Sequence, residues 1–214
     1  MKKILLCGLL CGFFWHLMPV NAETWLVTPI VEKDDIKNIS IIYPEFTNDY
    51  FNMTIKYFLE DIKKEYLANY QKGYQLIVTY QEFVSTDTLS YLFYMMYDFK
   101  GAHPITLIKT FNFNRNTYEQ VTVKELFSKN DLQKISQFSY SDLEKRLTYS
   151  SLFIPEMLKS GTEPLFENFN NMIITDDGVV FYFKQYQVAP YAAGIQSCYI
   201  PYSTIFPSIY PMPR

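Results

Sequence analysis

The spacing of apolar and polar positions changes several times along the chain, and each change marks an element. From Asp49 to Tyr70, the residues Phe51, Ile55, Phe58, Leu59, Ile62 and Tyr66 recur every three or four positions. That spacing gathers them on one face of a helix. Lys56, Glu60, Lys63 and Lys64 occupy the other faces. Asn48 stands where an N-cap is expected, Asp49 adds a carboxylate to the first turn, and Gly73 is expected to close the helix. Upstream, Lys37 to Phe46 reads as a strand that stops near Pro44. Downstream, Tyr74–Ser85 and Thr88–Lys100 are rich in β-branched and aromatic residues, with a hairpin turn at Thr86-Asp87. In the second of these, Tyr91, Phe93, Met95 and Tyr97 alternate with Leu92, Tyr94 and Met96. Both faces are apolar, so this strand is predicted to be central and covered on two sides.

Gly101-Ala102-His103-Pro104 breaks the pattern, and Ile105–Asn114 resumes it as another strand that ends in a turn at Asn114–Thr117. A short helix is expected over Lys124–Phe127. A longer one is expected over Asp131–Ser150, where Ser139-Tyr140-Ser141 could interrupt it. Pro155–Lys159 and Pro164–Phe169 read as short helical or irregular pieces. Met172–Thr175 and Val179–Lys184 form a hairpin across Asp176-Asp177-Gly178, a turn in which Asp-Gly is expected to adopt positive φ. The loop Gln185–Gly194, a strand over Ile195–Ile200 and an irregular tail over Pro201–Arg214 complete the chain. Strand runs separated by helices, without a βαβ array, predict an α+β fold. Its sheets are expected to be antiparallel or mixed, with packed helices, in two tightly associated lobes. The boundaries read as 1–22 for a signal peptide, 23–100 for a strand-helix-hairpin lobe and 101–214 for an α+β lobe.

The first segment supplies an address. Lys2 and Lys3 precede an almost wholly apolar run from Ile4 to Met18, followed by Pro19 and the small side chains of Val20 and Ala22. These are the parts of a secretory signal cut near Ala22, which would leave a periplasmic or secreted protein beginning at Glu23. The apolar run falls short of the ~20 residues that span a bilayer. No later stretch is long and apolar enough, so the mature chain is expected to carry no membrane span. Cys7 and Cys11 leave with the signal. Cys198 remains, in an apolar strand pattern that suits a small buried hydrophobe.

Composition narrows the function classes. The 214 residues carry a net charge of −3, and loss of Lys2 and Lys3 makes the mature chain more acidic still. Such a balance does not build a phosphate-neutralising surface, so no nucleic-acid partner is expected. None of the 7 glycines falls in a phosphate-binding pattern, and no cofactor is implied. His103 is the one imidazole left after the signal, with no second His or free Cys spaced to share a metal, so no metal site is expected. As a loop residue it could act as a general base, but the simpler expectation is that it orders its loop through a nearby carbonyl.

The loop from Tyr186 to Gly194 is the more informative one. Pro190, Ala192, Ala193 and Gly194 are small or rigid and would let a partner approach the backbone. Tyr186 and Tyr191 offer flat faces that can stack on a sugar or fill a protein pocket. Both loops follow strands expected to be central, so they should converge at one end of the structure. The ligand-binding candidates are therefore His103, Pro104, Tyr186, Pro190, Tyr191 and Gly194, and no residue is assigned a catalytic role.

Five motifs in order carry a resemblance. They are Gly101-Ala102-His103-Pro104, Phe111-Asn112-Phe113, Val123-Lys124-Glu125-Leu126-Phe127, Thr175-Asp176-Asp177-Gly178 with Val180-Phe181-Tyr182-Phe183, and Tyr186 to Gly194. Together they resemble a bacterial extracytoplasmic domain family of unknown function. That family forms the extracellular region of a lysozyme-sensing anti-sigma factor and an accessory region of some peptidoglycan deacetylases. The resemblance implies an exported, non-catalytic recognition domain of the cell envelope, with a lysozyme-like protein or peptidoglycan as partner. The alternative is a small cell-wall glycan hydrolase or deacetylase that uses His103. The Asp-His-His metal set of a polysaccharide deacetylase is not found in the chain, nor is an anti-sigma segment, so the resemblance implies the recognition part without its usual effector.

Overall fold

A computed structural model describes residues 27–206. The signal segment over 1–22 and the end of the proline-bearing tail lie outside the described residues.

Helix α1, Asp49–Ala68, buries Phe51, Ile55, Leu59, Ile62 and Tyr66, the stripe set by the three- and four-residue spacing. The Asn48 Oδ1 accepts from the Phe51 amide at 3.1 Å and caps the first turn. The helix stops at Ala68, short of Tyr70, and Asn69 forms its C-cap. Leu67 is exposed, while Tyr70, beyond the helix end, still packs on the core beside Tyr66 with ring centroids 5.8 Å apart. Gly73 lies beyond this end, in the turn that leads to the next strand.

Five strands form the first sheet in chain order: β1 Thr28–Asp34, β2 Ile39–Glu45, β3 Gln75–Val84, β4 Thr88–Asp98 and β5 Ile105–Asn114. All neighbours are antiparallel except β2 and β3, which run parallel because α1 is the crossover between them. β1 has mostly exposed side chains and lacks an apolar alternation, so no periodicity marks it in the sequence. Pro44 does not end β2, because it pairs with Pro29 of β1 beyond the short β2–β3 ladder.

β4 is covered on both faces, as its two-sided apolar pattern predicts. Tyr91, Phe93, Met95 and Tyr97 lie in the core beneath α1, while Leu92 joins Ile108 and Ile173 on the opposite face. β5 pairs with β4 from Tyr97–Ile105 to Thr88–Asn114. A boundary at residue 101 therefore falls inside this sheet, and 99–104 is a hairpin connection.

The second sheet is antiparallel and runs β6 Met172–Ile174, β7 Gly178–Phe183, β8 Gln196–Pro201. Short α2, Val123–Leu126, leads into α3, Lys129–Tyr149. The Ser128–Asp131 capping box starts α3, and Leu132, Ile135, Leu143 and Leu147 pack it on Phe181, Cys198 and Ile200. Ser139-Tyr140-Ser141 does not interrupt it, since Ser139 is buried on the packed face. α4, Pro155–Gly161, and α5, Tyr202–Ile205, complete the described elements, with a 3₁₀ turn at Phe166–Phe169 and another at Tyr191–Ala193.

Gly178 departs from expectation. Its φ is not positive. It is required by close approach instead, because a Cβ there would sit 2.5 Å from the Ile200 carbonyl oxygen and 2.7 Å from the Tyr199 ring. The fold is thus α+β, with a mixed sheet and an antiparallel sheet. Two side chains of β5 stitch the sheets together. The Thr110 Oγ1 accepts from the Met172 amide at 3.0 Å, and the Asn112 Nδ2 donates to the Met172 carbonyl at 3.0 Å.

Candidate functional site

The loop after β4 and the loop after β7 meet at one end of the molecule. Three glutamine and tyrosine side chains hold them there. In the β7–β8 loop, the Gln187 Nε2 donates to the Gly161 carbonyl at 3.1 Å and to the Asn168 carbonyl at 2.9 Å. Its Oε1 accepts from the Lys184 amide at 3.1 Å. Gly161 makes this anchorage possible, because a Cβ there would overlap the Gln187 carbonyl. The Gln185 Oε1 accepts from the Thr106 amide at 3.3 Å and ties the loop to β5. The Tyr191 hydroxyl donates to the Pro104 carbonyl at 3.0 Å and ties it to the β4–β5 connection.

These bonds bring the predicted residues together. The rings of His103 and Tyr191 stack with centroids 3.6 Å apart and planes at 19°. The Tyr186 ring lies 5.9 Å from Tyr191, and its hydroxyl is 3.5 Å from the His103 Nε2. Tyr186 is 57% exposed and His103 is exposed, so the cluster presents aromatic faces to solvent. Tyr186 also adopts φ 65°, a left-handed conformation costly for a bulky residue, about 1–2 kcal/mol. Pro104 supplies the carbonyl that Tyr191 holds. Pro190 opens the 3₁₀ turn that carries Tyr191, and Gly194 closes it with φ 69°. Pro190 and Gly194 thus frame the turn that carries Tyr191.

Among the described residues, the His103 ring meets the Pro104 carbonyl, 3.2 Å from Nδ1, and the Tyr186 hydroxyl. Neither a carboxylate nor a thiol among the described residues is within hydrogen-bond reach of the ring. Cys198 is buried under α3, where burial pushes its thiol up to about 12. A thiolate nucleophile is not formed there at neutral pH. Asp176 and Asp177 lie at the β6–β7 turn, where the Asp176 Oδ1 accepts from the Thr86 amide at 2.8 Å. That carboxylate joins two hairpin turns.

A second feature was not anticipated. A cleft of 310 Å³ opens beside β5, bounded by Lys109, Gln120, Lys124, Phe166, Asn170 and Met172. The Lys109 ammonium lies 5.5 Å from the Phe111 ring centroid. Among the described residues it makes no salt bridge or hydrogen bond. Burial, together with the charge of Lys184, lowers its pKa. The sequence held one signal for it: Lys109 is a lone charge on the strand face of Leu107, Phe111 and Phe113.

Residues 124–203 match the family described as "Protein of unknown function (DUF3298)". The peptidoglycan-N-acetylmuramic acid deacetylase PdaC of Bacillus subtilis (strain 168) is 28% identical over 185 residues, which is 80% of this chain and 38% of that protein. The esterase Rv3036c of Mycobacterium tuberculosis is 31% identical over 112 residues, 51% of this chain and 47% of that protein. The chain therefore spans less than half the length of either curated relative. A crystal structure of a DUF3298 family protein from Pseudomonas aeruginosa PAO1 superposes with a TM-score of 0.60, over 85% of this chain and 90% of that one, at 12% identity. That likeness concerns the fold alone. The resemblance drawn from the five motifs is met by these findings.

Proposed function

We propose that this protein is an exported, non-catalytic recognition domain of the cell envelope, binding peptidoglycan or a lysozyme-like protein through the His103, Tyr186 and Tyr191 surface. The observation that carries the reading is the exposed ring stack of His103 on Tyr191, 3.6 Å apart, whose imidazole faces a carbonyl and a phenol. Aromatic faces held by main-chain bonds suit sugar rings and apolar protein pockets, and lose little conformational freedom on binding. The segment Met1–Ala22 supports export, and similarity to a protein named for deacetylating peptidoglycan supports an envelope setting. The acidic balance favours a basic partner such as lysozyme by electrostatic steering. Among the described residues no helix is long and apolar enough to cross a membrane.

Pelleting with insoluble peptidoglycan and calorimetric titration with lysozyme test the reading. Tyr186→Ala and Tyr191→Ala are each expected to weaken binding by about 1–4 kcal/mol, the range of an aromatic anchor. Unchanged binding in both variants overturns the assignment of this surface.

A second reading is a small glycan hydrolase or deacetylase using His103. The relatives named as a deacetylase and an esterase favour it. In that case His103→Ala abolishes turnover and leaves affinity nearly unchanged. Release of acetate or of glycan fragments from peptidoglycan by the protein decides for the enzyme.

A further inference from the structure

We propose that the cleft beside β5 is a carboxylate-binding pocket centred on Lys109, and that its ligand is an acidic sugar. The inference rests on the recognition reading above and names a ligand chemistry for it, at a place distinct from the His103 ring cluster.

Lys109 is the starting point. A half-buried ammonium is costly unless an anion or several acceptors offset the lost hydration. Among the described residues Lys109 has neither, and its charged neighbour is another cation, Lys184. The protein thus places positive charge at the wall of a cleft whose one lining carboxylate, Glu167, pairs with Lys124 and leaves Lys109 without an anion. Lys124 adds a second cation at the rim. Its link to Glu167 is 3.7 Å long between largely exposed side chains, which makes it weak and easily exchanged for a ligand anion.

The other walls favour a sugar over a bare ion. The side-chain amides of Gln120 and Asn170 border the cleft and have no hydrogen-bond partner among the described residues. Each offers donors and an acceptor suited to hydroxyl or acetamido groups. Phe166 gives a half-buried ring on which the C–H face of a pyranose can pack. The volume of 310 Å³ lies at the small end of ligand clefts, about 300–1,000 Å³, and suits one sugar unit better than a folded peptide. Along β5, Lys109 stands five residues from Pro104, about 17 Å at the rise of a strand. One extended glycan could reach both the cleft and the ring cluster.

The test compares N-acetylmuramic acid with N-acetylglucosamine, which differ only in the lactyl ether that bears the carboxylate. Binding to the full protein is followed by calorimetry and by chemical shifts. The acidic sugar is expected to bind at least tenfold more tightly, and added salt should reduce that preference. Lys109→Met should abolish it. Asn170→Asp, at an exposed position, should cut it about tenfold and carries the test if Lys109→Met does not fold. Tyr186→Ala should leave the preference intact, which separates this pocket from the ring surface. Equal binding of the two sugars, no binding of either, or an undiminished preference in both cleft variants overturns the proposal. D-alanyl-D-alanine binding as tightly as the acidic sugar would assign the pocket to a peptide carboxylate and overturn the sugar. Loss of peptidoglycan pelleting in Tyr186→Ala with no sugar preference in the cleft removes the pocket and leaves the recognition reading standing.

Discussion

The Asn112 Nδ2 donates to the Met172 carbonyl at 3.0 Å, and this bond crosses from the first sheet to the second. The same amide accepts through Oδ1 from the Ser90 hydroxyl at 2.7 Å and from the Ile174 amide at 3.3 Å. Asn112 is 3% exposed, so water cannot replace these partners. Removing the amide leaves buried main-chain groups without partners, each costing about 1–3 kcal/mol. Asn112→Ala is therefore expected to destabilise the protein by about 3 kcal/mol in urea denaturation. A loss below about 0.5 kcal/mol would show that the two sheets do not depend on this bridge.

Helix α1 offers a paired test on one element. Leu59 is buried in the core beneath it, whereas Tyr57 is 66% exposed. Leu59→Ala should cost about 2–5 kcal/mol, through lost burial and the cavity left behind. Tyr57→Ala should change stability by less than about 0.5 kcal/mol. Chemical denaturation of the two variants side by side checks both.

Gly161 links the packing of α4 to the β7–β8 loop. Alanine there drives a methyl group into the Gln187 carbonyl, so the β7–β8 loop must shift or α4 must move. Gly161→Ala is expected to cost about 1–3 kcal/mol, as overpacking does. That is a fall in Tm of about 2–10 °C for a protein of this size. Gly101→Ala meets nothing within 4 Å and should melt like the parent.

Tyr186 is predicted to trade stability for binding. Its left-handed backbone is tolerated far better by asparagine. Tyr186→Asn should therefore raise stability by about 0.5–1 kcal/mol. It should also weaken peptidoglycan binding by about 1–4 kcal/mol. Thermal melts and pelleting on the same preparation measure the two effects. A variant that gains stability and keeps full binding would show the strained tyrosine to be irrelevant to recognition.

Cys198 sets an alkaline limit. Its folded-state pKa is raised from 9.0 to about 12 by burial, so the neutral thiol is favoured in the fold. Its contribution to stability is complete below pH 9 and declines as pH rises toward 12, where the unfolded chain releases a proton that the folded chain retains. Tyr97 and Tyr202, each raised by burial to about 12, add to the same trend from pH 10 upward. Cys198→Val should lessen the loss of stability between pH 9 and 11. At pH 8 the thiol of the folded protein should react with a thiol reagent only after denaturant is added.

The sequence by itself determined the elements whose periodicity reports burial. The stripe from Phe51 to Tyr66 specified α1 and its face, because a helix that packs on a sheet must repeat its apolar contacts every three or four residues. The two-sided pattern of Tyr91 to Tyr97 specified a covered strand for the same reason. The converging loops of His103 and Tyr191 were legible as well, since each follows a central strand, β4 in the first sheet and β7 in the second. What only the tertiary structure decided are relations between distant positions. β1 has no apolar code, because an exposed edge strand is held by its ladder to β2 rather than by burial. β5 reads as any strand, and its membership in the first sheet follows from its pairing with β4. Gly178 is spelled like a turn glycine, yet the Ile200 carbonyl fixes its identity. Lys109 is one charge in an apolar run, and only the fold sets it beside a cleft lined by Gln120, Phe166 and Asn170, where the Glu167 carboxylate pairs with Lys124 instead. Local pattern records which side of an element is dry, while partner, register and unpaired charge are settled by residues far away in the chain.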